Sequence, residues 1–207
     1  MDYASYLKRS PEPNPYHHVV DMGSVHLPTG KIYCCDPFLT QEVAALDLAV
    51  EPGNFPVRLC VADVPNWGKR IALASLTFSD QPVKCWARAT YQLDGDRLAA
   101  FRVDAGLGAF MDEDTAALFA GAVGDYYEAN PEGNYYDDVL AEEFKRNADM
   151  TRRGHTGDWD LHVPVLGDPR NVAMFASGLG DGSYSAFWGI DRDNRPAMVV
   201  ADFDIFG

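Results

Sequence analysis

Apolar runs of two kinds, alternating and continuous, divide this chain into short strands cut by Gly, Pro, Asn and Asp. Residues 16–27 alternate weakly and lead through Pro28-Thr29-Gly30 into a second strand at 31–35. Four more strands are expected at 56–64, 69–78, 83–91 and 97–103. The breaks between them, such as Ser79-Asp80-Gln81-Pro82 and Asp94-Gly95-Asp96, carry strong turn chemistry. The period then changes. Residues 115–127 bring Leu118/Phe119, Ala122/Val123 and Tyr126/Tyr127 round at helical spacing. Residues 135–147 do the same with Tyr136, Leu140 and Phe144, with acids early and Lys145-Arg146 late, as a helix dipole prefers. Asp112 is placed to cap the first of these helices. A shorter helix is expected over 41–50, a polar loop with the local basic spot Arg152-Arg153-Gly154-His155 over 148–158, and a strand over 158–165.

The end of the chain, 171–203, reads as three strands joined by tight turns. Val172, Met174 and Ala176 alternate with Ala173, Phe175 and Ser177, so the first of the three is apolar on both sides. The segments 183–190 and 196–203 share that character. Strands apolar on both faces are buried on both faces. Strands first, two helices after the middle, then strands again predict an α+β fold. It is mainly antiparallel β, a sandwich or curled sheet, with a two-helix insertion at about residues 112–147. Residues 1–15, with Pro11, Pro13 and Pro15, are expected as an extended arm, and 16–207 as a single domain.

Composition narrows the setting. With 47% hydrophobic residues the chain has enough apolar surface for a sizeable core. No apolar run approaches the roughly 18 residues of a membrane span, and the first residues lack a signal-peptide pattern, so a cytoplasmic location is expected. Cys34, Cys35, Cys60 and Cys85 are then expected as thiols, most of them buried. The net charge of −14 disfavours nucleic acid and anionic membranes and favours cations and basic proteins.

No dinucleotide fingerprint, phosphate loop, nucleophile elbow or His-Glu-x-x-His pattern is present. The five histidines form no ligand spacing. Candidate chemistry rests instead on Gly- and Asp-rich loops. Gly178, Gly180 and Gly182 surround Asp181 and lead to Tyr184 and Trp188. Asp104 precedes Gly106 and Gly108, and Asp36 precedes Pro37 at a strand end. Such aspartates most often serve turns. Were their loops to converge, Asp36, Asp104 and Asp181 would make a carboxylate site able to hold Mg²⁺, Mn²⁺ or Ca²⁺, with Tyr184 and Trp188 lining it.

Several of these pieces stand in one order. Thr29-Gly30-Lys31-Ile32 leads into Cys35-Asp36-Pro37. Glu51-Pro52-Gly53-Asn54-Phe55-Pro56-Val57, Pro82-Val83-Lys84-Cys85-Trp86 and Val103-Asp104-Ala105-Gly106-Leu107-Gly108 follow. The end is Gly178-x-Gly180-Asp181-Gly182-x-Tyr184 with Trp188-Gly189 and a strand closing on Asp202-Phe203. This series resembles the uncharacterised bacterial family DUF4241 from about Thr29 to Phe203. The resemblance brings no activity with it. Two readings follow from the residues. The first is a cytoplasmic binding protein, immunity-like, that takes a basic protein partner, with exposed aromatics such as Trp67 or Trp159 on its face. The alternative is a hydrolase-like enzyme with a carboxylate, metal-assisted site at the glycine loops.

Overall fold

In the computed structural model, which describes residues 1–8, 14–148 and 157–206, the chain forms two antiparallel sheets and a helical layer. A helical turn α1 (Tyr3–Tyr6) precedes β1 (His17–Leu27), β2 (Ile32–Cys35), β3 (Gly53–Val64) and β4 (Gly68–Thr77). Then come β5 (Cys85–Arg88), β6 (Tyr91–Leu93), β7 (Asp96–Leu98), β8 (Phe101–Val103) and β9 (Leu107–Asp112). Helix α2 (Glu113–Ala129) and helix α3 (Ala141–Asn147), the latter entered through a wide turn at Tyr136–Leu140, lead to β10 (Trp159–His162). The chain closes with β11 (Val172–Ala176), β12 (Gly182–Ile190) and β13 (Pro196–Asp202). The larger sheet runs β1-β3-β4-β13-β12-β5, with β8 also pairing β12. The smaller runs β10-β11-β9-β2, and β6-β7 is a separate hairpin.

Layering explains the burial pattern. The smaller sheet meets the larger through β1 and β4, while α2 and α3 rest on β2, β9 and β10. A sheet covered on both sides must be apolar on both sides. All six residues of β9 are buried, as are four of the five in β11. The outer face of the larger sheet carries a second apolar cluster, in which Tyr3 and Leu7 pack with Ala62, Leu73 and Val200. Residues 1–15 were expected to be extended. The structure instead folds Tyr3–Tyr6 into a helical turn, because burying Tyr3 lets its hydroxyl donate to Asp202 Oδ2 at 2.9 Å. Pro11 and Pro13 lie outside the described residues, as does the basic spot Arg152–His155.

The α+β fold of mostly antiparallel strands is as expected from the pattern, with five local differences. The helix expected over 41–50 is instead a 3-10 turn at Pro37–Glu42 followed by irregular chain. Its amides are claimed by neighbouring strands: Leu46 N–H donates to Ile32 O, Asp47 N–H to Thr90 O and Val50 N–H to Gly30 O. The strand expected at 83–91 breaks into β5 and β6. The one at 97–103 divides into β7 and β8 around the exposed β6-β7 hairpin, whose turn places Asp94 and Gly95 at φ 53° and 92°. The strand expected over 158–165 stops at His162.

The fifth difference lies in the Gly-rich stretch after Asp104, expected as a loop from strand to helix. Only 104–106 is a turn; Leu107–Asp112 is an inner strand of the smaller sheet. Gly108 is there for packing. A Cβ at this position would sit 2.8 Å from Phe203 and 2.9 Å from Phe175. Both are core rings, so Gly108→Ala is expected to cost about 2 kcal/mol by overpacking. Urea unfolding measures this, and an unchanged midpoint would show that the rings move aside freely.

Candidate functional site

Loops that are far apart in sequence meet at one end of the sandwich. Asp36 ends β2 and is fully buried. Its Oδ1 accepts from Phe38 N–H at 2.9 Å, and its Oδ2 accepts from Asp104 N–H at 2.9 Å and Ala105 N–H at 2.7 Å. Asp181 reaches the same loop, its Oδ1 accepting from Gly106 N–H at 3.0 Å. Asp104 points away, to Arg102 at 3.0 Å on the exposed side. The structure therefore brings the 36, 104 and 181 segments together, with Asp36 and Asp181 acting as clamps on backbone amides. Oxygens so engaged are poorly disposed to gather round one cation. Among the described residues, no group of three or more His, Cys, Asp or Glu side chains is arranged to hold a metal.

What the clamps hold is the wall of a pocket. Ser177 starts a turn closed by Gly180 N–H donating to Ser177 O at 2.8 Å, and its own N–H donates to Gly106 O at 3.0 Å. Gly178 has φ 55°, and a Cβ there would come within 2.9 Å of Phe203. Both conditions demand glycine. Tyr184 is a buttress: its hydroxyl donates toward Gly180 O at 2.8 Å and Ser177 O at 3.2 Å. Gly182 opens β12 beside the Tyr184 ring. The turn, Gly106, Asp158 and the start of β4 at Lys69, Arg70 and Ile71 enclose about 310 Å³.

Trp188 is not part of that pocket. It is buried farther along β12, where its Nε1–H donates to Asp47 Oδ1 at 2.9 Å. Asp47 also accepts from Thr90 N–H at 3.1 Å, the Thr90 hydroxyl at 2.8 Å and Arg97 at 3.1 Å. This hub was missed, because Ala-Leu-Asp-Leu looks like helix interior and nothing local marks its carboxylate. A second missed network joins helix to sheet. His162 Nδ1 lies 2.6 Å from Glu143 Oε2 and its Nε2 3.0 Å from Tyr135 Oη. A carboxylate can only accept, so Nδ1 carries a proton, and in the neutral ring Nε2 accepts from the tyrosine. Burial, then the nearby Glu143, pushes the Tyr135 hydroxyl up to about 12.

The helical layer presents the other distinctive surface. Residues 113–148 hold nine acids (Glu113, Asp114, Asp125, Glu128, Glu132, Asp137, Asp138, Glu142 and Glu143) against Lys145 and Arg146, so half of the chain's −14 falls here. Between α2 and the segment after β10 lies an open groove of about 470 Å³, floored by Ala117, Leu118, Gly121 and Ala122 and walled by Pro164 and Val165. Val163 and Val165 are exposed and Leu166 is 100% exposed. Trp67 is exposed too, whereas Trp159 is buried in the core and belongs to no surface.

Against known families, residues 25–201 match the family described as a protein of unknown function, DUF4241. The chain belongs to that family. No curated protein and no solved structure matches it. The match takes in every residue lining the pocket of this DUF4241 protein, from Lys69 to Gly180, the clamp Asp36, and also α2 and α3. Among its described residues no helix is long and apolar enough to cross a membrane. All four cysteines are free, and burial pushes the thiol of Cys60 up to about 12 and those of Cys34 and Cys35 well above their usual range.

Proposed function

We propose that this DUF4241 protein is a binding protein that docks a basic protein segment on the exposed side of α2. The observation that carries the reading is the open apolar groove with the fully exposed Leu166 beside it, set in a segment bearing nine acids and two bases. An apolar floor with Asp125 on its lining, in a segment of net negative charge, suits an amphipathic helix with aliphatic anchors on one face and Lys or Arg on the other. Small residues on the floor, Ala117 and Gly121, let a partner backbone approach closely. The acids would steer a basic partner and set its orientation more than they would add affinity. Neutralising a basic protein in this way is immunity-like, and the free thiols fit a cytoplasmic setting.

A labelled model helix of Leu and Lys, compared with its Leu and Glu counterpart, tests the reading by fluorescence anisotropy. The Lys peptide is expected to bind and to weaken as salt rises. Leu166→Asp and Ala117→Glu are each expected to weaken it by about tenfold, near 1.4 kcal/mol. Equal binding of the Glu peptide, or equal binding by both variants, would refute the docking face.

A further inference from the structure

The glycine-loop pocket is lined by three charged residues, of which Arg70 turns its guanidinium back onto Lys69 O at 2.7 Å, while the other two, opposite in sign, do not meet. Lys69 lines it from the start of β4, and Asp158 lines it from the segment before β10. Among the described residues Lys69 makes no ion pair. Asp158 Oδ1 is buried without a hydrogen-bond partner. A buried acceptor left unpaired costs about 1–3 kcal/mol, a cost that a bound donor removes. His18 Nε2, on β1, is likewise buried without a partner. Burial and the nearby Lys69 lower the His18 pKa and Asp158 raises it, which places the imidazole within electrostatic reach of both charges.

The wall opposite is rigid and close. Ser177–Gly180 is held by its own turn bond, by the Tyr184 hydroxyl and by the contact of Ser177 with Gly106, while Asp181 fixes Gly106. Gly178 and Gly106 put no side chain into the space, so a ligand can lie against backbone. A ligand that satisfies this set carries a carboxylate for Lys69 and an ammonium for Asp158 within a short span.

We propose that this pocket binds a small zwitterion, a free α-amino acid. The unpaired ammonium and the unpaired carboxylate oxygen read its two charges, and the glycine turn leaves room for its backbone atoms. This site is separate from the α2 groove, and either stands without the other.

The test is isothermal titration and thermal shift of the full chain with each of the standard amino acids. Each amino acid that binds is then retested as its N-acetyl form, which lacks the ammonium, and as its amide, which lacks the carboxylate. At least one free amino acid is expected to bind and to raise the melting temperature, and each blocked form to bind at least about tenfold more weakly. Lys69→Met and Asp158→Asn, both close in shape to the original residue, are expected to lose affinity to the same degree. Their unliganded melting curves report folding independently. No binding by any amino acid would overturn the proposal. So would equal binding of both blocked forms, or unchanged affinity in both variants.

Discussion

Asp36→Ala is expected to destabilise the protein by about 4 kcal/mol. The carboxylate is fully buried and accepts three amide N–H groups, from Phe38, Asp104 and Ala105. Removing it leaves these donors unpaired in a site from which water is excluded, and each such group costs about 1–3 kcal/mol. It also deletes the cap of the Pro37–Glu42 turn, a loss worth about 1 kcal/mol. Asp36→Asn keeps one acceptor oxygen, and is expected to recover roughly half of the loss. Chemical unfolding of the three proteins gives the values. If Asp36→Ala cost no more than an exposed substitution, about 0.5 kcal/mol, the clamp would not be holding the 104–106 turn. Because that turn forms one wall of the glycine-loop pocket, ligand affinity is expected to fall along with stability.

The second large effect belongs to Trp188, the largest fully buried side chain. Trp188→Ala is expected to cost about 4 kcal/mol, from the cavity and from the lost contact with Phe78. The hydrogen bond it gives Asp47 adds a signature that a cavity alone would not produce. Burial by itself would raise the Asp47 pKa, but the bonds from Trp188 and Thr90 outweigh it and hold the carboxyl below its usual value. A depressed folded value means that the charged form is the stabilising one. The contribution is complete above the ordinary aspartate value of about 4 and is lost as pH falls through the lower, folded value. Stability of the wild type measured from neutral to acid pH is therefore expected to fall on that limb. Asp47→Asn is expected to start lower and fall less. Parallel curves for the two proteins would show that the acid limb belongs to other carboxylates.

Much of the architecture was legible because its signals are local. The alternating run that became β1, the apolar runs bounded by turn residues that became β3, β4 and the three C-terminal strands, and the helical spacing of α2 and α3, follow from side-chain geometry within one element. So does the capping of α2 by Asp112, whose Oδ1 accepts from Asp114 N–H at 3.0 Å. The failures are equally physical. Residues 41–50 have a helical look, yet the backbone bonds made to Ile32, Thr90 and Gly30 outbid a short helix of weak propensity. Leu107–Asp112 has the glycines of a loop, yet they serve close packing against Phe175 and Phe203.

The candidate site divides along the same line. From residue types alone, Asp36, Asp181 and the glycines around them stand out, and they do meet at one end of the sandwich. The roles could not be read there. A carboxylate looks the same in sequence whether it faces a cation or three amides, and only the register that brings the 104–106 turn against the end of β2 decides between them. Lys69, His18 and Asp158 carried no sequence signal, because each is an ordinary residue until the two sheets face each other.

By itself, then, the sequence determined the α+β class, the antiparallel strands, the helical insertion, the family and the large negative charge. Each of these is set by neighbouring residues or by simple summation. The tertiary structure alone decided which aspartates are clamps, that Trp188 answers to Asp47, and that an unpaired lysine and an unpaired carboxylate share one pocket. Those facts are distances between residues up to 141 positions apart in the chain, and no local periodicity encodes such a distance.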